Sequence, residues 1–139
     1  DEKDNHAYFS HKYKVSNYLR ENLDFYHKYF YEAKKDKNFF QKNLKKNLFY
    51  HGKRKITSLA KFYFIQQYKK NYVQLSNTLK IISSISVPQF PITGKYLLER
   101  GFTSGKHIGE VLNKIEKIWI EKDFNLNNEE LKTLIKKYN

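Results

Sequence analysis

The chain has 139 residues, 40% of them hydrophobic, with 27 lysines and arginines against 14 acids, five histidines and no cysteine. That length supports a core without covalent staples, and the missing thiols exclude disulfides, cysteine-ligated metal and a cysteine nucleophile. No apolar run approaches the roughly 18 residues of a membrane span, and the polar start "DEKDNH" is unlike a signal peptide, so a soluble, cytoplasmic protein with no membrane role is expected.

The chain reads as all-α: a bundle of six to seven helices with a C-terminal helix-turn-helix hairpin. Its only prolines, Pro88 and Pro91, divide a strongly basic body (1–87) from a helical tail (88–139), expected to pack on it as a single compact unit. Ser16 is placed to cap a helix running to about Ala33, with Leu19, Leu23, Tyr26 and Phe30 on one face. Asp36 is placed to cap a second, carrying Phe39, Phe40, Leu44, Leu48 and Phe49 and stopping at Gly52. A third starts near Arg54, with Ile56, Leu59, Ala60, Tyr63, Phe64 and Gln67 on one stripe. A bend near Asn71 separates it from a segment carrying Leu75, Leu79, Ile82 and Ile85.

Beyond the prolines, Thr93 caps a short helix that Gly101 ends. Ser104 caps a longer one with Ile108, Val111, Leu112, Ile115, Ile118 and Trp119 on one face. Asn127 and Glu130 form a capping-box start to the last helix, after a turn over 123–126.

The charge is uneven. Residues 1–80 hold 18 basic and 7 acidic groups, whereas 81–139 hold 9 and 7. The run Lys34 to Lys55, "KKDKNFFQKNLKKNLFYHGKRK", has nine basic residues and one acid, Asp36. Two readings fit this clustering: a surface facing a polyanion such as nucleic acid, or a solvated face enriched in lysine by codon bias. The triplet Lys53, Arg54 and Lys55 follows Gly52 at a helix start, where backbone N–H groups and the helix dipole also attract phosphate. Phe49 fits the core at helical spacing.

Catalytic chemistry finds no foothold. The histidines lack the spacing of a helical metal site, no Walker-type loop or nucleophile elbow occurs, and no paired aspartates suit two-metal phosphoryl transfer. No catalytic residue and no metal ligand is assigned. Four of the five glycines fall in "GKYLLERGFTSGKHIG", from Gly94 to Gly109. There Ser104, Gly105 and Lys106 would offer N–H groups to a phosphate, with Lys95 nearby. The alternative is structural: Gly101 follows a helix, Gly105 begins one, and Gly109 permits close helix packing.

The stretch "FPITGKYLLERGFTSGKHIGEVLNKIEKIWIEKDF" resembles the C-terminal region of bacterial CCA-adding tRNA nucleotidyltransferases and the related poly(A) polymerases. "KYKVSNYLRENL" and "NLFYHGKRKITSLAKFYF" are similar to segments of that family's helical body. The chain departs from the usual pattern at Tyr96, where the family has Asp, and at Lys106, where it has Pro. The resemblance implies a tRNA-binding body and tail, with tRNA or another structured RNA as partner. Catalysis, with Mg and CTP or ATP, would sit in a head and neck that this chain lacks; no cofactor is expected here. The expected RNA contacts are Lys42, Lys45, Lys46, Lys53, Arg54 and Lys55, joined by Lys95, Ser104, Gly105 and Lys106. Alternatives are a separately encoded subunit that works with a catalytic head-neck polypeptide, or a degenerate remnant that still folds.

Overall fold

Seven α-helices and no strand account for the regular structure of the described residues, which in this computed structural model are 4–67, 71–103 and 105–138. They are α1 (Asn5–Lys12), α2 (Asn17–Lys35), α3 (Leu44–Gln66), α4 (Tyr72–Ser84), α5 (Gly94–Leu98), α6 (Lys106–Glu121) and α7 (Asn128–Tyr138). The protein is all-α, as its periodicity implies. The chain divides into two compact units, Asp1–Val87 and Pro88–Asn139.

In the first unit, Ser16 adopts an extended backbone and its hydroxyl accepts the Leu19 N–H at 3.2 Å, which starts α2. The expected apolar stripe on α2 holds in part: Tyr26 and Phe30 pack against the core, joined there by Phe25 and Tyr29. Leu19 is 42% exposed, while Phe25 and Ala33 are buried. Phe25 and Tyr29 lie one turn apart and meet His51 of α3, with ring centroids 5.3 and 4.3 Å away. Phe30 meets Phe62 at 4.9 Å. The aromatic side chains, longer and more numerous than the leucines, decide which face is covered.

The helix expected from Asp36 does not form over 37–43, which is a compact turn. One Asp36 oxygen accepts the Asn38 N–H at 2.9 Å, the other accepts the Asn43 amide at 2.8 Å, and Asn47 donates to the Phe39 carbonyl at 2.9 Å. Such side-chain bonds compete with the helical ladder. Phe39 and Phe40 are both buried, with ring centroids 4.9 Å apart.

α3 contains one non-helical residue, Gly52, at φ 76° and ψ 156°. Positive φ is open to glycine at little cost, so helical residues continue on both sides of a break. Leu48 precedes the break; Ile56, Leu59 and Ala60 follow it, and all four are fully buried. Losing one of these leucines to alanine costs about 2–5 kcal/mol in comparable cores. α4 begins where Asn71 accepts the Gln74 N–H at 3.2 Å, and it adds Ile82 to the same core. α1 was not anticipated. It lies against α2, with His6 and His27 ring centroids 4.0 Å apart and His6 Nε2 3.3 Å from an Asp24 carboxylate oxygen.

The second unit has its own core of Ile92, Leu97, Phe102, Ile108, Val111, Ile115 and Ile135. Thr93 caps α5 by accepting the Tyr96 N–H at 3.2 Å. The segment then closes as a Schellman motif: Phe102 N–H donates to the Leu97 carbonyl at 3.3 Å and Gly101 N–H to the Leu98 carbonyl at 3.0 Å. Gly101 supplies the left-handed residue, at φ 88°, and buried Phe102 and Leu97 belong to the same apolar cluster. α6 ends on the same bond pattern, from Phe124 to Trp119 at 2.8 Å and from Asp123 to Ile120 at 3.1 Å, with Asp123 at φ 53° in glycine's place.

α7 opens on the expected capping box. Glu130 N–H donates to the Asn127 side chain at 2.8 Å, and Asn127 N–H donates back to the Glu130 carboxylate at 3.0 Å. Lys122 also donates to that carboxylate; the Lys122 bond first, then the Asn127 N–H, hold the acid below its ordinary value of 4.5. The cap proposed for Ser104 lies outside the described residues. Gly109 corrects an expectation: a Cβ built there meets nothing within 4 Å, so no neighbouring helix requires a glycine at that position.

Candidate nucleic-acid interface

The expected phosphate-binding residues separate by what already holds them. Lys42 in the 37–43 turn and Lys46 in the first turn of α3 are exposed, and neither has an ion-pair or hydrogen-bond partner among the described residues. Lys45 beside them is half-buried and engaged within the fold. Their uncommitted ammonium groups are the strongest phosphate contacts this region offers, since binding them requires breaking nothing.

The triplet after Gly52 is more committed. Lys53 donates to the Ser83 carbonyl at 2.9 Å, in the last turn of α4, where carbonyls lack helical partners and positive charge is favoured. Arg54 donates to the Tyr18 hydroxyl, and its guanidinium carbon lies 5.8 Å from that ring. Lys55 is half-buried, its ammonium 5.0 Å from the Phe25 ring centroid. These three cations tie α3 to α2 and α4 before they can do anything else. Arg54 retains further N–H donors beyond its tyrosine bond, because a guanidinium carries five.

His51, one residue before the break, is shielded by Phe25 and Tyr29. Burial first, then the Lys55 charge, holds its imidazole below 6.5, with Lys28 adding to that and Glu32 opposing it. It is thus a neutral packing group at physiological pH. Phe49 is half-buried, and Tyr50 is exposed.

In the second unit Lys95 is exposed at the start of α5. Gly105 stands at φ 111° and precedes α6, and Lys106 has a 93% exposed side chain with a loose 3.9 Å contact to Glu110. Ser104 falls outside the described residues. The Arg100 guanidinium carbon lies over the Tyr96 ring, 3.4 Å from its centroid, so the position where a carboxylate was expected by resemblance instead carries a cation–π contact. Gly105 and Lys106 are neighbours at a helix start, but the basic density of the first unit is not repeated there.

One surface escaped the sequence reading. Asn5 to Arg20 contains no acid, and along it Tyr8, Tyr13 and Tyr18 are 64%, 60% and 59% exposed. Lys12 lies 5.6 and 5.5 Å from the Tyr8 and Tyr13 ring centroids. Exposed aromatics interleaved with cations suit stacking on unpaired bases. The signal was present in the acid-free run, but a helix at 5–12 was not foreseen and its exposed face could not be assigned.

Among the described residues no group of three or more His, Asp or Glu side chains is placed to hold a metal ion, and the oxygens of Asp36 already serve the turn. Among the described residues, no helix is long and apolar enough to cross a membrane.

Similarity to known proteins is partial. No protein-family model matches the chain, and no solved structure matches it. Part of the chain is similar to "CCA tRNA nucleotidyltransferase 1, mitochondrial": 37% identical over 46 residues in Danio rerio, covering 33% of this chain. The Mus musculus and Homo sapiens proteins of that name are 36% and 34% identical over 59 residues, 42% of the chain. These matches span only 11–14% of the relatives' own length. They support a relation between this chain and the CCA tRNA nucleotidyltransferases.

Proposed function

We propose that this chain is a tRNA-binding module corresponding to the C-terminal body and tail of a CCA-adding or poly(A)-adding nucleotidyltransferase. Nucleotide addition, with its Mg and CTP or ATP, is assigned to a head and neck, in the same polypeptide or in a separate partner. The observation that carries the reading is the basic first unit, where Lys42 and Lys46 are exposed and uncommitted. Binding is electrostatic and directed by RNA shape, because lysine ammonium groups read phosphate and not sequence. The partial similarity to tRNA nucleotidyltransferases supports tRNA as the RNA partner.

The test is titration of the chain with tRNA at several salt concentrations. The logarithm of the binding constant should fall linearly with the logarithm of salt concentration, with a slope magnitude of about 0.9 per phosphate neutralised. A flat dependence between 50 and 200 mM salt (roughly the range over which phosphate-led binding collapses) would overturn the mechanism. A stable fold that retains no tRNA even at low salt would favour a non-functional remnant.

A further inference from the structure

The first unit contains a second feature, built from neutral groups. The 37–43 turn, the end of α3 and the face of α4 surround a cavity of about 540 Å³, a size typical of small-molecule sites. Its floor includes Phe40, Phe64 and Leu44, all buried, with half-buried Tyr63 beside them. Four carboxamides surround this floor: Gln41, Gln67, Gln74 and Asn77. Thr78, only 7% exposed, adds a hydroxyl. None of these five side chains has a hydrogen-bond partner among the described residues.

Five uncommitted polar side chains around an apolar floor set the chemistry of the occupant. Each carboxamide offers two N–H donors and one carbonyl acceptor, and the hydroxyl offers both roles. The carboxylate lining the cavity, Asp36, is already occupied by Asn38 and Asn43. Lys37, also part of the lining, is exposed. The complementary ligand is flat and uncharged, with apolar faces and both donors and acceptors along its edge. A nucleobase has this form, and a carboxamide pairs with adenine in bidentate fashion through its N6 and N7.

We propose that the cavity between the 37–43 turn and α4 receives one unstacked nucleobase of the bound RNA, with Gln74 and Asn77 reading its edge. Lys37 then sits where the nucleotide's phosphate can reach it. Bases displaced from loops and ends are the usual targets of sequence-specific RNA recognition, by stacking and edge hydrogen bonds. The proposal deepens the RNA-binding reading and rests on it, adding a base contact to a phosphate contact.

Adenosine separates the two, because it carries no phosphate. The full chain, labelled with 15N, is titrated with adenosine while the side-chain amide resonances of Gln and Asn are followed. The expected result is saturable movement of the Gln74 and Asn77 amide signals, independent of salt. In a Gln74→Leu/Asn77→Leu variant, both exposed positions, the dissociation constant should rise about fivefold or more. A Gln41→Leu variant on the opposite rim provides a second reading if the double variant fails to fold, and it should weaken adenosine in the same direction.

Absence of saturable movement, or an affinity unchanged in the folded variants, would overturn the proposal. Equal shifts on adding N-acetylalanine methylamide would also overturn it, by showing that the carboxamides recognise peptide backbone. Failure of salt-dependent tRNA binding with adenosine binding intact would instead remove the phosphate mechanism alone.

Discussion

The two units use the same backbone device for different ends. In each, a glycine at positive φ stands immediately before a helical run that begins with lysine: Gly52 before Lys53, and Gly105 before Lys106. In the first unit the following cations are drawn into the fold, by the Ser83 carbonyl, the Tyr18 hydroxyl and the Phe25 ring. In the second, Lys106 is almost wholly exposed. The comparison teaches that a glycine-marked helix start does not by itself identify a phosphate site. What matters is which cations remain uncommitted and how densely they are grouped, and by that measure the first unit leads.

The largest expected effect breaks the comparison along charge. A Lys42→Glu/Lys46→Glu variant should weaken tRNA binding roughly tenfold or more near 100 mM salt and reduce the salt slope by about two. The matched Lys95→Glu/Lys106→Glu variant should change both by less. Electrophoretic or fluorescence titration of both variants settles the order, and equal losses would place the interface across both units.

A smaller effect sharpens the backbone half of the comparison. Gly101→Ala places a Cβ at φ 88° and should destabilise the second unit by about 1–2 kcal/mol. Gly109→Ala, on open space within α6, should stabilise it by up to about 1 kcal/mol. Denaturant midpoints followed through Trp119 fluorescence report both changes. The two glycines are indistinguishable by residue type and opposite in consequence.

The smallest effect is a pH dependence carried by His51. Its folded value lies below 6.5, so between that lowered value and 6.5 the unfolded chain binds more protons than the folded one. The contribution to stability is complete above 6.5 and is lost as pH falls through the window. A His51→Gln variant should show a flatter decline in denaturant midpoint between pH 7.5 and pH 5. An unchanged slope would assign the acid sensitivity to other groups.

Caps were legible because they are local. Ser16, Thr93 and the Asn127–Glu130 pair bond to backbone three residues away, and residue type at fixed offset is enough to find them. The 37–43 turn was not legible: phenylalanine spacing there matched a helix, and only the competing bonds of Asp36, Asn43 and Asn47 excluded it. On α2, Tyr26 and Phe30 face the core as their spacing implies, whereas the exposure of Leu19 was not legible because aromatic contacts with α3 decide how far that face is covered. Among the candidate phosphate contacts, no local pattern separated Lys42 and Lys46 from Lys53 and Arg54.

The sequence by itself determined an all-α protein, its principal helix starts and a net charge concentrated before residue 81, since these depend on periodicity, short-range hydrogen bonding and composition. Only the tertiary structure decided which cations stay free and which carboxamides line a common cavity. Lys53 meets Ser83 and Arg54 meets Tyr18 across separations of 30 and 36 residues, and contacts at that range are set by how helices pack, not by the residues on either side.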